Sequence, residues 1–290
     1  MVDNFSMTSP VADTPRHYPR VLTIAGSDSG GGAGIQADLK TFSALGCYGM
    51  TAITALTAQN TVGVRAIHGV PAEFLQAQID AVAEDIGVDA VKIGMLHAPD
   101  IVAAVAGAID RHVFARVVLD PVMVATSGDR LIQEETIASL VSELFPRATL
   151  ITPNLDEAAL LLGRPVRATA DLDAACHDLL ALGARAVLLK GGHLGGDELT
   201  DVLAVAGQPA SDWLRLSGPR IATRNAHGTG CTLSSAIAAR LALGDPLPDA
   251  VRAAHAYIRG ALAAGADVAV GHGHGPLNHG FAPQAMHRLA

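Results

Sequence analysis

Short apolar runs alternate with longer segments of helical spacing along most of this chain. The run 21–25 is followed by apolar residues at Ile35, Leu39, Phe42 and Leu45, the spacing of a helix that packs on one face. The same alternation continues into the C-terminal third. The pattern predicts strands at 21–25, 50–56, 90–95, 117–120, 149–152, 186–190 and 213–216, and helices at 35–45, 72–86, 101–109, 134–144, 233–243 and 250–263.

This alternation predicts an α/β fold with a mostly parallel central sheet. Right-handed βαβ crossovers place helices on both faces of such a sheet, which gives a three-layer α/β/α sandwich. Acidic and small residues at 195–210 predict a hairpin, so antiparallel strands are expected at one edge. We expect a single domain over residues 20–290, preceded by a flexible tail at residues 1–19, which are mostly polar and contain three prolines.

The composition narrows the range of partners. Half of the residues are hydrophobic, enough for a sheet covered on both faces. The net charge of −8 and the aromatic content of 3% argue against nucleic acid as a partner. No apolar run reaches the length of a membrane span, and the N-terminal segment lacks the apolar core of a signal peptide. Three scattered cysteines without a C-x-x-C pair predict the reduced thiols of a cytoplasmic protein.

The stretch 225–232, NAHGTGCT, is the first candidate for a functional site. Gly228 and Gly230 bracket Thr229 directly before a helical pattern, so backbone N–H groups and the helix dipole would form an anion hole suited to phosphate. Cys231 lies at the same helix start, where a thiol is expected to have a lowered pKa and to be available as a base or nucleophile. A helix start that is merely built of small residues is the alternative, and this stretch alone leaves it open.

A second glycine-rich loop follows the first predicted strand. Residues 32–37 match G-x-G-x-x-A, the dinucleotide fingerprint, which would indicate an NAD-binding oxidoreductase. That fingerprint also needs an acidic residue about twenty positions further on, to hold the ribose. The chain has no Asp or Glu between Asp38 and Glu73, so the acidic residue that NAD binding requires is missing.

Polar side chains follow several predicted strands, where open α/β sheets bind their ligands. Gln59 offers an amide to a neutral nitrogen heterocycle, or is an ordinary loop residue. Asp120 suits a metal or catalysis, or a turn. Asn154 and Glu157 suit Mg²⁺ held through water, or a helix capping box. The Gly- and His-rich segment 271–275 fits no zinc pattern and is expected to be a flexible loop near the active site.

Several separate stretches carry one resemblance in order across residues 20–281. They are AGSD at 25–28, GGAGIQAD at 31–38, ALTAQNT at 55–61, KIGM at 92–95, DPVM at 120–123, TPNL at 152–155, KGGH at 190–193 and HGTGCT at 227–232. Together they resemble the hydroxymethylpyrimidine/phosphomethylpyrimidine kinases of thiamine biosynthesis, which belong to the ribokinase-like superfamily. The resemblance implies a ribokinase-like fold and two successive ATP-dependent phosphorylations, of 4-amino-5-hydroxymethyl-2-methylpyrimidine and then of its monophosphate.

The resemblance also implies roles for particular residues. Substrate-binding residues would be Gly26, Asp28 and Ala33 in the first glycine loop, Gln59 against the pyrimidine, and Met95 and Val122 as apolar walls. Cys231 would be the catalytic base, in the place where other ribokinase-like kinases carry an Asp. Gly228, Thr229 and Gly230 would form the anion hole for the transferring phosphoryl group.

On the nucleotide side, the resemblance implies ATP and Mg²⁺. Asn154 and Lys190 would lie toward the ATP phosphates, and Glu157 would lie near the metal; Asp120 is the further candidate metal ligand. A homodimer is expected from the superfamily. Members often carry Lys or Arg in the C-terminal glycine-rich segment, where this chain has His272, so the second phosphorylation depends on whether histidine can replace it.

Two other functions compete with this one. A pyridoxal kinase of the same fold would phosphorylate a related hydroxymethyl group on a different heterocycle. A non-catalytic pyrimidine-binding protein would keep the fold without the chemistry, and the presence of Cys231, Asn154 and Glu157 argues against it.

Overall fold

The computed structural model describes residues 16–123, 132–192 and 197–289. Residues 1–15 of the predicted tail, His193 of the KGGH stretch and the start of the predicted hairpin at 195–210 lie outside the described residues. His17, within the range predicted as a tail, forms backbone hydrogen bonds with Leu289.

One sheet organises the described part of the chain. Its nine strands follow the order β3-β2-β1-β4-β5-β6-β7-β8-β9, with β1, β2, β4, β5, β6 and β7 parallel. β3 is antiparallel to β2, and β8 and β9 are antiparallel at the other edge. The strands are β1 Arg20–Asp28, β2 Tyr48–Asn60, β3 Gly63–Gly69, β4 Ala90–Ile93, β5 Val117–Leu119, β6 Leu150–Ile151, β7 Ala186–Leu189, β8 Glu198–Val205 and β9 Leu214–Pro219.

Helices cover both faces of the sheet, which confirms the predicted three-layer α/β/α sandwich. The helices are α1 Gly34–Ala44, α2 Ala72–Asp85, α3 Pro99–His112, α4 Glu134–Ser139 with a π-helical turn at Leu140–Leu144, α5 Leu155–Leu162, α6 Leu172–Ala181, α7 Thr229–Ala242 and α8 Leu247–Ala264. Apolar residues of α2 to α6 form a core on one face, and those of α1, α7 and α8 form a second core on the other. None of the helices described here has the length and apolar character needed to cross a membrane.

The structure corrects several predicted elements. β3 was not predicted, because most of its residues are exposed and it shows no apolar pattern. α7 begins at Thr229 and not at 233, since its first turn consists of small residues without a hydrophobic signal. The single hairpin expected at 195–210 is wrong: β8 is one strand that pairs with both β7 and β9. Antiparallel strands flank the sheet at both edges and not at one.

The parallel strands place their polar residues together. Asp28 ends β1, Asp120 follows β5, and Lys190 follows β7. Because carboxyl ends of parallel strands meet at one edge of the sheet, these side chains converge there. The N-terminus of α7 faces the same edge, as the contacts below show.

Candidate active site

A cavity of about 710 Å³ lies at this edge of the sheet. Every site residue predicted from the sequence contributes to its lining. These are Gly26, Asp28, Ala33, Gln59, Met95, Asp120, Val122, Asn154, Glu157, Lys190, Gly228, Thr229, Gly230 and Cys231. The structure therefore brings together residues from six strand ends and from the start of α7. Their individual roles remain predictions.

Asp28 organises the first glycine loop. Its carboxylate accepts hydrogen bonds from the backbone N–H groups of Gly30 at 2.8 Å, Gly32 at 3.1 Å and Ala33 at 2.9 Å. Burial alone would raise the pKa of Asp28, but the hydrogen bonds from His227, Ala33 and Gly30 hold it below its ordinary value. Asp28 is therefore an ionised carboxylate that fixes the loop beside the cavity.

Close contacts around Gly26 and Gly34 explain two glycines of this loop. A Cβ on Gly26 would lie 2.9 Å from Cε of Met95, so a larger side chain would displace this cavity wall. Gly34 has φ of +55°, and a Cβ there would collide with the carbonyl oxygen of Gly26. The two glycines are thus required by the close approach of β1 and α1 at this edge of the cavity.

Gln59 lies within β2, near its end, and is half-buried. Its Oε1 accepts a hydrogen bond from Thr57 at 3.2 Å, and its Nε2 lies 3.4 Å from Nε2 of His227. The amide thus stands between a hydroxyl donor and an imidazole at the cavity wall. The Gln59 amide has both an acceptor oxygen and a donor NH₂ group, so it suits a ligand that both donates and accepts hydrogen bonds.

The predicted anion hole forms the start of α7. Gly228 has φ of +86° as the residue before the helix, and a Cβ on it would collide with the carbonyl oxygen of Gly32. The two glycine loops therefore touch. A Cβ on Gly230 would lie 3.3 Å from Nζ of Lys190 and 3.4 Å from Oδ2 of Asp120. The first turn of α7 therefore also lies close to these two charged side chains.

Cys231 is partly exposed to the cavity in the first turn of α7. The expectation of a lowered pKa is wrong: burial raises the pKa of the thiol to about 11. Lys92 and the backbone N–H of Gly34 lower this pKa, whereas Asp38 and Asp120 raise it. The loss of water on burial thus outweighs the stabilisation of a thiolate by Lys92 and the Gly34 N–H.

Asp120 and Lys190 form a buried ion pair at the cavity floor. Nζ of Lys190 donates to Oδ1 of Asp120 at 3.0 Å, and the Thr152 hydroxyl donates to the same oxygen at 2.9 Å. Burial opposes ionisation of Asp120, but Lys190 and Lys92 hold its pKa below the ordinary value. A carboxylate and an ammonium group therefore meet beside the anion hole.

Asn154 and Glu157 form the capping box of α5, so one of the two interpretations of this pair is confirmed. The Asn154 side chain accepts from the Glu157 backbone N–H at 2.9 Å, and Glu157 Oε2 accepts from the Asn154 N–H at 2.8 Å. Burial raises the pKa of Glu157 to about 7. Capping does not exclude a second role, because Glu157 also lines the cavity.

Some lining residues were not predicted from the sequence. His227 and Lys92 appeared only as members of motifs, because their partners Asp28 and Asp38 are distant in the chain. The far end of the cavity was also missed, since no motif marks its apolar and basic residues. This end is formed by Leu199, Arg220, Ile221, Ala222, Thr223, Arg259 and Leu262.

The fold and this cavity define the ribokinase-like class of small-molecule kinases. The structure matches a Bacillus subtilis pyridoxal kinase in complex with ADP with a TM-score of 0.83, at 37% identity over 91% of this chain and 98% of that one. It also matches a phosphomethylpyrimidine kinase from Clostridium difficile 630 with a TM-score of 0.72, at 42% identity over 83% of this chain and 97% of that one.

Sequence comparison places the chain more narrowly. A Rhizobium meliloti (strain 1021) protein named hydroxymethylpyrimidine/phosphomethylpyrimidine kinase is 53% identical over 89% of this chain and 96% of its own length. Residues 28–278 match the family described as phosphomethylpyrimidine kinase, and the chain belongs to that family.

Proposed function

We propose that this protein transfers the γ-phosphoryl group of ATP to 4-amino-5-hydroxymethyl-2-methylpyrimidine and then to its monophosphate, as a step of thiamine biosynthesis. The observation that carries the proposal is the position of Cys231 and the anion hole in the same cavity as Asp28 and Gln59. The residues proposed as proton acceptor, as phosphate-binding N–H groups and as partner of the heterocycle thus line one cavity. Membership of the family supplies the substrate class.

The substrate side of the cavity suits an aminopyrimidine. Gln59 would form hydrogen bonds with the ring, while Met95 and Val122 would pack against its faces. Gly26 and Ala33 would leave room for the ring beside β1, since even a Cβ on Gly26 would contact Met95. Asp28 would hold the loop in shape through its three backbone hydrogen bonds.

The chemistry would take place at the start of α7. The hydroxymethyl oxygen would attack the γ-phosphorus, the bond from phosphorus to the β,γ-bridging oxygen would break, and the hydroxyl proton would pass to the Cys231 sulfur. Backbone N–H groups of Gly228, Thr229 and Gly230 would stabilise charge on the transferring phosphoryl oxygens. Because the pKa of this thiol is about 11, thiolate would be the minor form at neutral pH and would increase with pH.

The nucleotide side combines Asn154, Lys190, Asp120 and Glu157. Lys190 would contact the ATP phosphates, since it lies next to the anion hole. Among the described residues no group of three or more His, Cys, Asp or Glu could hold a metal by itself. Two cavity carboxylates nevertheless fit Mg²⁺, an ion that keeps much of its water and shares its ligands with phosphates. Asp120 and Glu157 would hold it, and it would neutralise phosphate charge.

A pyridoxal kinase activity is the second candidate, because the B. subtilis pyridoxal kinase has nearly the same fold. The family match favours the pyrimidine. A homodimer belongs to the same proposal on the grounds of the superfamily resemblance. A cytoplasmic location belongs to it on the grounds of the three scattered cysteines, which include no C-x-x-C pair.

The test is ATP consumption with product identification. Purified protein is offered hydroxymethylpyrimidine, its monophosphate and pyridoxal in parallel, with Cys231→Ser as the variant and Cys176→Ser as the matched control, since Cys176 is buried away from the cavity. We expect turnover of both pyrimidines, strongly reduced only by Cys231→Ser. Turnover of pyridoxal alone would assign the second candidate, and ligand binding without ATP consumption would refute a kinase.

A further inference from the structure

A fully buried ion pair lies behind the anion hole. Nζ of Lys92, on β4, donates to Oδ1 and Oδ2 of Asp38, on α1, at 3.0 and 2.9 Å, and both side chains are 0% exposed. The hydroxyls of Thr23 and Ser235 each donate to the same carboxylate at 2.6 Å. Asp38 thereby joins β1, β4, α1 and α7, and all these bonds are made inside the protein.

This pair is poorly explained as a source of stability. Taking two charges out of water costs free energy that their attraction often fails to recover, and apolar residues of similar size are frequently equal or better at such positions. The ammonium group of Lys92 is also closely packed, because a Cβ on Gly94 would lie only 2.9 Å from Nζ of Lys92. A role in the adjacent cavity, which Lys92 lines together with Cys231, accounts for the charge better.

The helix pair α1 and α7 connects this buried pair to the thiol. Gly34 and Asp38 are one turn apart on α1, and Cys231 and Ser235 are one turn apart on α7. Asp38 accepts a hydrogen bond from the hydroxyl of Ser235 at 2.6 Å, one turn after Cys231, and this bond ties α1 to α7.

We propose that Lys92 is a positioning residue of the reaction centre, held by Asp38 so that its ammonium group supplies the positive charge beside which the Cys231 sulfur ionises. Of the groups that act on the thiol, Lys92 on β4 favours its charged form most strongly, and Asp38 on α1 and Asp120 after β5 oppose it. Lys190, after β7, also interacts with the thiol. The proposal rests on the proposed function only in giving Cys231 the role of proton acceptor.

Opposite effects of two substitutions distinguish this role from a structural one. Lys92→Met removes the favourable charge, whereas Asp38→Asn removes an unfavourable one; each breaks the same ion pair. A purely structural pair would make both variants behave alike. Ser235→Ala is the matched control, because it removes a hydrogen bond to Asp38 without changing a charge.

The measurement is the rate of Cys231 alkylation by iodoacetamide at pH 8 in the full chain, without nucleotide or pyrimidine, with the modified cysteine identified by peptide mass spectrometry. We expect alkylation about tenfold slower in Lys92→Met, which is about one unit in the thiol pKa, and faster in Asp38→Asn. Ser235→Ala should stay within about twofold of the parent, because thiolate content follows the charges. Changes in the same direction for both charge variants would overturn the proposal.

The double variant Lys92→Met/Asp38→Asn guards against misfolding of the single variants, because it leaves no buried charge unpaired. We expect it to keep the parent's circular dichroism and to be alkylated more slowly, since the effect of Lys92 exceeds that of Asp38. A folded double variant with the parent's rate would overturn the proposal. Slower alkylation with unchanged kcat would support the role of Lys92 and overturn Cys231 as the base, which separates the two hypotheses.

Discussion

Nε2 of His227 lies 2.9 Å from Oδ2 of Asp28, so the loop that precedes α7 is bonded to the loop that follows β1. The same imidazole nitrogen is 3.4 Å from the Gln59 amide. Residues assigned to the pyrimidine and residues assigned to phosphate are therefore parts of one connected polar structure. A substitution of Asp28 should therefore affect both the residues assigned to the pyrimidine and those assigned to phosphate.

Asp28→Asn tests this connection. An asparagine cannot accept at both oxygen positions, so in either orientation at least one backbone N–H among those of Gly30, Gly32 and Ala33 would face an amide NH₂ group. Loss of hydrogen bonds to a charged acceptor costs about 2 kcal/mol, or roughly 30-fold in kcat/KM for the pyrimidine. Asp110→Asn, an exposed carboxylate bonded to Arg147, is the control and should leave steady-state kinetics unchanged. Parent-like kinetics in Asp28→Asn would contradict the organising role.

The pH dependence of turnover tests Cys231 as the base. Because burial raises the pKa of the thiol to about 11, the thiolate fraction and hence kcat/KM should rise between pH 7 and pH 9. Cys231→Ser should lower kcat by about 10²-fold to 10⁴-fold and remove this rise. A variant that keeps the parent's pH profile would show that another group accepts the proton.

Gly228→Ala tests the contact between the glycine loops. The substitution places a side chain at φ of +86° and drives its Cβ into the carbonyl oxygen of Gly32, so both stability and activity should fall. Gly244→Ala is the matched control: φ there is +94°, but nothing lies within 4 Å of the added Cβ. The control should lose about 1 kcal/mol from backbone strain and keep parent kinetics. Equal losses of activity in both variants would rule out the loop contact as the cause.

Glu157→Gln should stabilise the protein at neutral and alkaline pH. Burial raises the pKa of Glu157 from 4.5 to about 7, so the neutral form favours folding fully below pH 4.5 and this contribution is lost as pH rises through 7. The melting temperature of the variant should equal that of the parent near pH 4.5 and exceed it above pH 7, while activity with Mg²⁺ falls. Glu84→Gln, on the exposed surface of α2, should show no such divergence. A constant difference in melting temperature at all pH values would contradict the assignment.

Asp89 should contribute to stability with the opposite pH dependence. Arg20 donates to both of its oxygens, at 3.0 Å from Nε and at 2.8 Å from Nη2, and lowers the pKa of Asp89 below 3.8 against the effect of burial. This contribution is present above about pH 4 and is lost as pH falls further. Asp89→Asn should lower the melting temperature at pH 7 by roughly 2 to 4 °C, for about 1 kcal/mol, and by less near pH 3. Asp85→Asn serves as the exposed control.

The sequence predicted the parallel sheet and most of its helical layers because these depend on local patterns, whereas much of the predicted cavity lining came from the family resemblance. Apolar runs and glycine loops mark strand ends, and strand ends meet at one edge whatever the packing details. The pKa of Cys231 could not be predicted in this way. Its helix position was correct, but burial by distant segments decides the sign of the shift.

The Lys92–Asp38 pair shows the same limit. Both residues lie in recognisable motifs, yet they are 54 positions apart, and no spacing rule indicates that they bond to each other. The far end of the cavity, which includes Arg220 and Arg259, has no motif. It forms because α8 packs against the end of β9, where Arg259 donates a hydrogen bond to the carbonyl of Pro219. Local pattern therefore predicts strand ends well and long-range pairs poorly.

The contact between the two glycine loops has a consequence for biosynthesis. Asp28 is made early, and its partner His227 follows 199 positions later. Closing so long a segment is entropically costly and belongs to the slow part of folding. A nascent chain that has produced β1 to β7 contains all the parallel strands, but it lacks the α7 residues that line the cavity. We therefore expect a translation intermediate of this enzyme to hold a nearly complete sheet and no binding site.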